Sequence, residues 1–440
     1  MKGASPEKLQ RSSLIAHAHD IMMRAGVNLE LHDQLVAYND ALHERTCRAA
    51  RNRPAAMEFF DRAFHASHAE RVEEILEYRA KGGKSIGTFC IYVPDEIALA
   101  AGVLPIPLCG GSHWPVDYAD KMFPRDICPL IRSTFGMVFS NTCPYRRLKD
   151  GVVGETTCDA KKKAWDLLGF EVMEVPQKKN EMDRALWHSE VRRFREYVEK
   201  LSGVTVTVSK LKETIALVNK RRRVLQQINA FRRLPDPPIS GLDALLVSQI
   251  ALNQDVQVFI AACEELISEL ESRVKQGISS YEWRGPRILL AGTPSPMGNV
   301  KVHYALESSG LQVVADESCT GMRYYRDLVD ESPDDLDGMM AAIADRYFSI
   351  DCACFSPNTE RVQNILKTVR EYDIDGVAQS ILAFCHTYNI EAKVIDKALA
   401  SANVPSLKIV TDFSFEDLEQ LKVRIESFGE LIQSKKAQPA

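Results

Sequence analysis

The chain reads as an α/β protein made of two doubly wound, Rossmann-like domains, with a helical N-terminal arm in front and a helical connector between them. Three patterns carry this. Short β-rich runs alternate with helical stretches from residue 81; the alternation returns from residue 284; and segments 1–80 and 186–283 carry apolar residues at three and four spacing with few glycines. A chain of 440 residues, 45% hydrophobic and 26% charged, is long enough for more than one core.

Taken in order, the arm (1–80) holds the helical stretches "LQRSSLIAHAHDIMMRAG", "LHDQLVAYNDALHERTCRAARNR" and "AMEFFDRAFHASHAERVEEILEYRAKGG". The first α/β domain (81–185) runs from "KSIGTFCIYV" through "GVLPIPL" and "GVVGETTC" to "EVMEVP", with a helix at "KKKAWDLLGF". The connector (186–283) is helical apart from the turn-rich "PDPPISG". In the second domain (284–440) the strands "RILLAG", "LQVVADESC", "DGVAQSILAFC" and "SLKIVTD" alternate with helices, and the helix "FEDLEQLKVRIESFGELI" closes it.

Charge excludes some classes of function. With 55 basic and 60 acidic residues the net charge is -5, and no basic stripe interleaved with aromatics occurs, so neither nucleic acid nor an anionic membrane is expected as partner. The first residues lack the apolar core of a signal peptide and no apolar run has the length of a membrane span, so a cytoplasmic location is expected. Against that background 11 cysteines stand out, because the cytosol keeps thiols reduced and disfavours a disulfide framework.

Four thiols close strands: Cys109, Cys158, Cys319 and Cys385. Ligands of open α/β sheets bind beyond the carboxyl ends of the strands, so these four should line crevices that face one another across a cleft. Four more lie in turn-like or proline-containing context: Cys128 in "DICPLIRS", Cys143 in "NTCPYRR", and Cys352 and Cys354 in "DCACFSPN". The chain has no CxxC, only the CxC at 352 and 354, which weakens the case for tetrahedral zinc. Iron–sulfur clusters take thiolates from scattered loops and fit better. Alternating residues of an extended CxC point opposite ways, so Cys354 and Cys109 are the less certain ligands. Cys47, Cys90 and Cys263 read as packing residues. A nucleophilic cysteine would need a base, and His386 beside Cys385 is the sequence-adjacent candidate; more simply it stands behind the ligands. Lys161, Lys162 and Lys163 read as a solvated helix face.

Nucleotide motifs are missing. "KGGKSIGT" imitates a phosphate loop, but Tyr78 stands where that motif needs glycine, and no GxGxxG follows a strand. Chemistry driven by ATP would have to pass through a partner.

The stretches "PDEIALAAGVLPIPLC", "CPLIRSTFG", "GETTCDAKKK", "SCTGMRY", "CACFSPN", "FCHTY" and "LKIVTDFSFEDLEQLKVRIESF" occur in this order from about residue 80 to about residue 430. Together they resemble the superfamily of 2-hydroxyacyl-CoA dehydratase and benzoyl-CoA reductase subunits, and more closely its double-cubane cluster proteins. The resemblance implies a 4Fe–4S cluster on Cys128, Cys158 and Cys385, or an 8Fe–9S double cubane held by six thiolates drawn from these three and Cys143, Cys319, Cys352, Cys109 and Cys354, the other two supporting. It implies a homodimeric reductase of small, hard-to-reduce molecules, fed with low-potential electrons by a separate ATP-hydrolysing iron–sulfur activator. The alternative is a 2-hydroxyacyl-CoA dehydratase or benzoyl-CoA reductase subunit with a single cluster. A cluster carrier and a structural zinc protein are the remaining readings.

Overall fold

Two four-stranded sheets, parallel throughout, organise the chain, and the computed structural model describes residues 6–66 and 69–437. The first contains β1 (Lys84–Thr88), β2 (Val103–Pro107), β3 (Gly151–Glu155) and β4 (Glu171–Met173); the second contains β5 (Arg287–Gly292), β6 (Gln312–Glu317), β7 (Gly376–Leu382) and β8 (Ser406–Thr411). Their strand orders are β2-β1-β3-β4 and β6-β5-β7-β8, the same path taken twice. In each, the order reverses between the two central strands, which opens a crevice at their carboxyl ends. The mixed α/β class, with two parallel sheets and many helices, is therefore as the periodicity predicts, and the arrangement is consistent with Rossmann-like winding.

Local chemistry explains the placement of strands. β5, "RILLAG", is buried along its whole length, as a central parallel strand covered on both faces must be. β2 carries Pro105 and Pro107, which cannot donate to a ladder, and it lies at an edge. β3 ends in "GE", and a Cβ at Gly154 would stand 2.5 Å from the Trp165 ring. The missing side chain lets Trp165 lie flat against the sheet, stacked on Phe89 with ring centroids 4.2 Å apart and its indole N–H donated to the Glu155 carbonyl at 2.9 Å.

The arm is helical, with helices at Pro6–Ala25, Leu29–His43, Met57–Ala66 and Glu70–Ala80 and a wider turn at Glu44–Arg48. Four long helices follow the first sheet: Glu181–Ser202, Val208–Phe231, Gly241–Asn253 and Val256–Gln276. Helix Val208–Phe231 brings Arg222 into the core, where it donates to Glu96 at 2.7 Å and to the Tyr347 hydroxyl at 3.0 Å, all three fully or almost fully buried. At the same helix's end Arg232 reaches Asp316 of β6 at 2.6 Å. One helix thus reaches the helix that follows β1 and strand β6 of the second sheet. No helix among the described residues is long and apolar enough to cross a membrane.

One local expectation changes. The run "IGTFCIYV" is strand only as far as Thr88, and Cys90 lies in the turn beyond it, ahead of the helix Asp95–Ala100. The phosphate-loop imitation leads from a turn at Lys81–Gly82 into β1, whereas a phosphate loop must lead into a helix N-terminus.

Candidate functional site

Beyond the carboxyl ends of both sheets lies a cavity of about 330 Å3. Its walls come from the residues that follow the strands: Phe89 and Cys90 after β1, Leu108 and Cys109 after β2, Thr157 and Cys158 after β3, Thr293 after β5, Cys319 and Thr320 after β6, Cys385 after β7. Cys128, Cys143, Cys352 and Cys354 complete it, so all eight thiols singled out in the sequence reach one space. Cys47 and Cys263 are fully buried in the packing, as expected of them. His386 is exposed in the first turn of helix His386–Ser401 and is not among the lining residues, whereas Thr387 and Tyr388 are.

Four thiols occupy the same structural position. Cys128, Cys143, Cys158 and Cys385 are the cap residues before the helices Pro129–Ser140, Pro144–Arg147, Asp159–Leu168 and His386–Ser401. Proline at 129 and 144 suits the first helical position, where its missing N–H has no partner to lose. None of the four closes a capping hydrogen bond. Burial pushes the Cys128 thiol up to about 11 and Cys385 up to about 12, while the first-turn N–H groups pull each of them down. Burial also raises Cys143 and Cys158; the Lys161 charge opposes it at Cys158.

The remaining cavity thiols have local partners. Cys109 donates to the Phe89 carbonyl at 2.6 Å, and burial takes it up to about 12. Cys90 and Cys319 share a hydrogen bond that raises the first and lowers the second. Cys354 stands in the same relation to Cys352, whose thiol is lowered by that bond first and by the buried Arg323 guanidinium besides. Arg323 lies behind this wall: it bonds Glu317 and the Tyr388 hydroxyl and comes within 3.7 Å of the Cys319 sulfur. Tyr388 in turn stands 3.9 Å from the Cys352 sulfur.

Lys161 corrects the reading of the three lysines. Lys162 and Lys163 are exposed, but Lys161 is 9% exposed, borders the cavity and forms an ion pair with the buried Glu155. Burial alone would lower its pKa; the Glu155 carboxylate overrides that and holds the ammonium well above its ordinary value. The helical spacing contains the signal, since 161, 164 or 165, and 168 fall on the stripe that carries Trp165 into the core. Cys90, read as packing, is also a cavity residue.

The expected cofactor does not fit this arrangement. Among the described residues no three His, Cys, Asp or Glu side chains come together so as to hold a metal ion. The expectation of an iron–sulfur cluster, single or double cubane, is corrected by that finding, and with it the description of the protein as metal-binding. The thiols gather around one cavity, but not around one centre: four sit at four separate helix starts, two pairs bond internally, and Cys109 is given to a carbonyl.

Comparison with known proteins agrees with the order of motifs. The family described as 2-hydroxyglutaryl-CoA dehydratase, D-component, matches residues 90–432. The chain is 36% identical to the "Putative dehydratase subunit YjiM" of Escherichia coli (strain K12), over 81% of this chain and 94% of that one. It is 24% identical to the (R)-phenyllactyl-CoA dehydratase beta subunit of Clostridium sporogenes, over 80% and 92%, and 21% identical to a subunit of the benzoyl-CoA reductase of Thauera aromatica, over 79% and 91%. With the whole second sheet, three of the four strands of the first and every cavity cysteine from Cys90 to Cys385 inside the matched segment, the chain belongs to the 2-hydroxyglutaryl-CoA dehydratase D-component family, in the superfamily of dehydratase and benzoyl-CoA reductase subunits.

Proposed function

We propose that this chain is one subunit of an enzyme acting on an acyl-CoA thioester, a dehydratase of a 2-hydroxyacyl group or a reductase of an acyl group, and that the acyl portion enters the cavity. The observation that carries this reading is the cavity itself. It lies where two parallel sheets both offer their carboxyl ends, the position at which open α/β folds bind ligands. Its lining is largely apolar, with Phe89, Leu108, Leu130, Ile131, Leu382 and Tyr145 among the walls, and about 330 Å3 is room for a small aliphatic or aromatic acyl group. The names of the relatives support the substrate class, since two of them act on phenyllactyl-CoA and benzoyl-CoA.

The relatives are named as subunits, which supports a requirement for further protein. An ATP-hydrolysing partner belongs to this reading as the place for any nucleotide chemistry, because the lysine-rich turn before β1 runs into a strand. Assembly as a homodimer is part of the same proposal.

The test is equilibrium titration of the full chain with benzoyl-CoA, (R)-phenyllactyl-CoA and free CoA, combined with thiol footprinting. The expected result is saturable binding of the thioesters, weaker binding of free CoA, and protection of Cys158 and Cys352 against alkylation with no change at Cys47. Failure of both thioesters to bind, or protection that spares the cavity thiols, would overturn the reading.

A further inference from the structure

Lys161 leaves two hydrogen-bond donors unspent in a place where water cannot freely reach them. An ammonium carries three N–H groups. One is given to Glu155, and among the described residues no second acceptor bonds it. The Glu155 carboxylate is fixed from behind by the Thr157 hydroxyl at 3.1 Å, and its other oxygen is buried without a partner, so the pair stands in a desolvated wall. The guanidiniums at the cavity are more fully engaged: Arg71 donates to the Asn253 carbonyl and to Glu74, and Arg221 to the Ala251 carbonyl and to Asp95, with its Nε alone buried without a partner.

We propose that Lys161 is the carbonyl-binding residue of the cavity, donating an N–H from Nζ to the thioester oxygen of the bound acyl group and polarising that C=O bond. The proposal rests on the acyl-thioester reading and names the group that would orient the substrate. An apolar cavity can hold an acyl chain without directing it; a buried ammonium with N–H groups to spare directs it, because the carbonyl oxygen is the acceptor the acyl end presents. Charge developing on that oxygen during reaction would meet a preorganised donor in a low-dielectric site.

The experiment compares benzoyl-CoA, carbon-13 labelled at the carbonyl, with S-benzyl-CoA, which lacks that oxygen. Each is titrated into the wild-type chain, Lys161→Met, and the double variant Lys161→Met with Glu155→Gln, in which no buried carboxylate is left unpaired. Benzoyl-CoA should lose roughly tenfold or more in affinity in both variants, as expected for a charge-assisted hydrogen bond, while S-benzyl-CoA binds all three chains alike. The infrared carbonyl stretch of bound benzoyl-CoA should lie at lower wavenumber in the wild type than in the variants. Equal losses for both ligands, or an unchanged stretch, would overturn the role of Lys161 and leave the thioester reading standing. Absence of benzoyl-CoA binding to the wild type would overturn both.

Discussion

Cys352 and its neighbour two residues on behave as one unit. The hydrogen bond from Cys354 and the charge of Arg323 together lower the Cys352 thiol, whereas burial raises Cys109 and Cys385 to about 12. Thiolate, not thiol, is the nucleophile. Alkylation by iodoacetamide, followed residue by residue by mass spectrometry, should therefore modify Cys352 at lower pH than Cys109 or Cys385. Replacing Cys354 with alanine should move the Cys352 profile to higher pH. A common onset for all three thiols would show that the pair has no such effect. The CxC spacing made the closeness of these two residues visible from sequence, but the charge that helps lower Cys352 was not, because Arg323 arrives from another turn of the chain and its partners Glu317 and Tyr388 lie on two further elements.

At the scale of elements, the helix Val208–Phe231 holds the two halves by buried charge. Arg222, with Glu96 and Tyr347 around it, is fully buried, and the charges of Arg222 and Arg346, with the Tyr347 hydroxyl, outweigh burial to hold the Glu96 carboxyl below its usual range. Removing one member of a buried pair strands the other; removing both is far cheaper. Arg222→Met should therefore cost about 3–5 kcal/mol in chemical denaturation, and Arg222→Met with Glu96→Gln should recover most of it. The helix itself was legible from three and four spacing, and the eight strands from short β-rich runs. The inward arginines were not, since a guanidinium at a core position carries no periodic signature until its carboxylate is known. The same limit explains Lys161, written among three lysines of which two do face solvent. Cys90 was misplaced for another reason: apolar alternation continues past Thr88, but Pro94 and the helix behind it bend the chain away from the sheet.

Over the whole molecule, stability should carry a pH signature from Glu307. This buried carboxyl accepts the Gly241 N–H at 2.7 Å and the Tyr281 hydroxyl at 2.5 Å, and burial raises it from 4.5 to about 7. Between those values the folded chain binds more protons than the unfolded one, so stability falls as pH rises from about 4.5 and is level again above about 7. The loss amounts to about 3 kcal/mol. Glu307→Gln should remove that part of the slope, measured as the difference between urea midpoints at pH 5 and pH 8; an unaltered difference would show that Glu307 does not titrate in this range. The gathering of eight thiols at one cavity was legible because strand ends and proline-marked turns are local features. Whether those thiols share a centre was not, because that depends on where each sulfur points, and here the sulfurs are claimed by helix starts, by one another and by a carbonyl.

The cavity has one wall from each sheet, and this sets an order of events when the chain is made. The ribosome releases Cys90 to Cys158, with Phe89 and Leu108, long before Cys319 to Cys385. Domains fold as units in the order of synthesis. The first sheet can thus form while its half of the cavity has nothing to face, showing water an apolar surface set with five thiols. Closure by the second sheet covers both the apolar surface and the thiols, so a thiol oxidant present during synthesis should lower the yield of folded protein more than the same oxidant added afterwards.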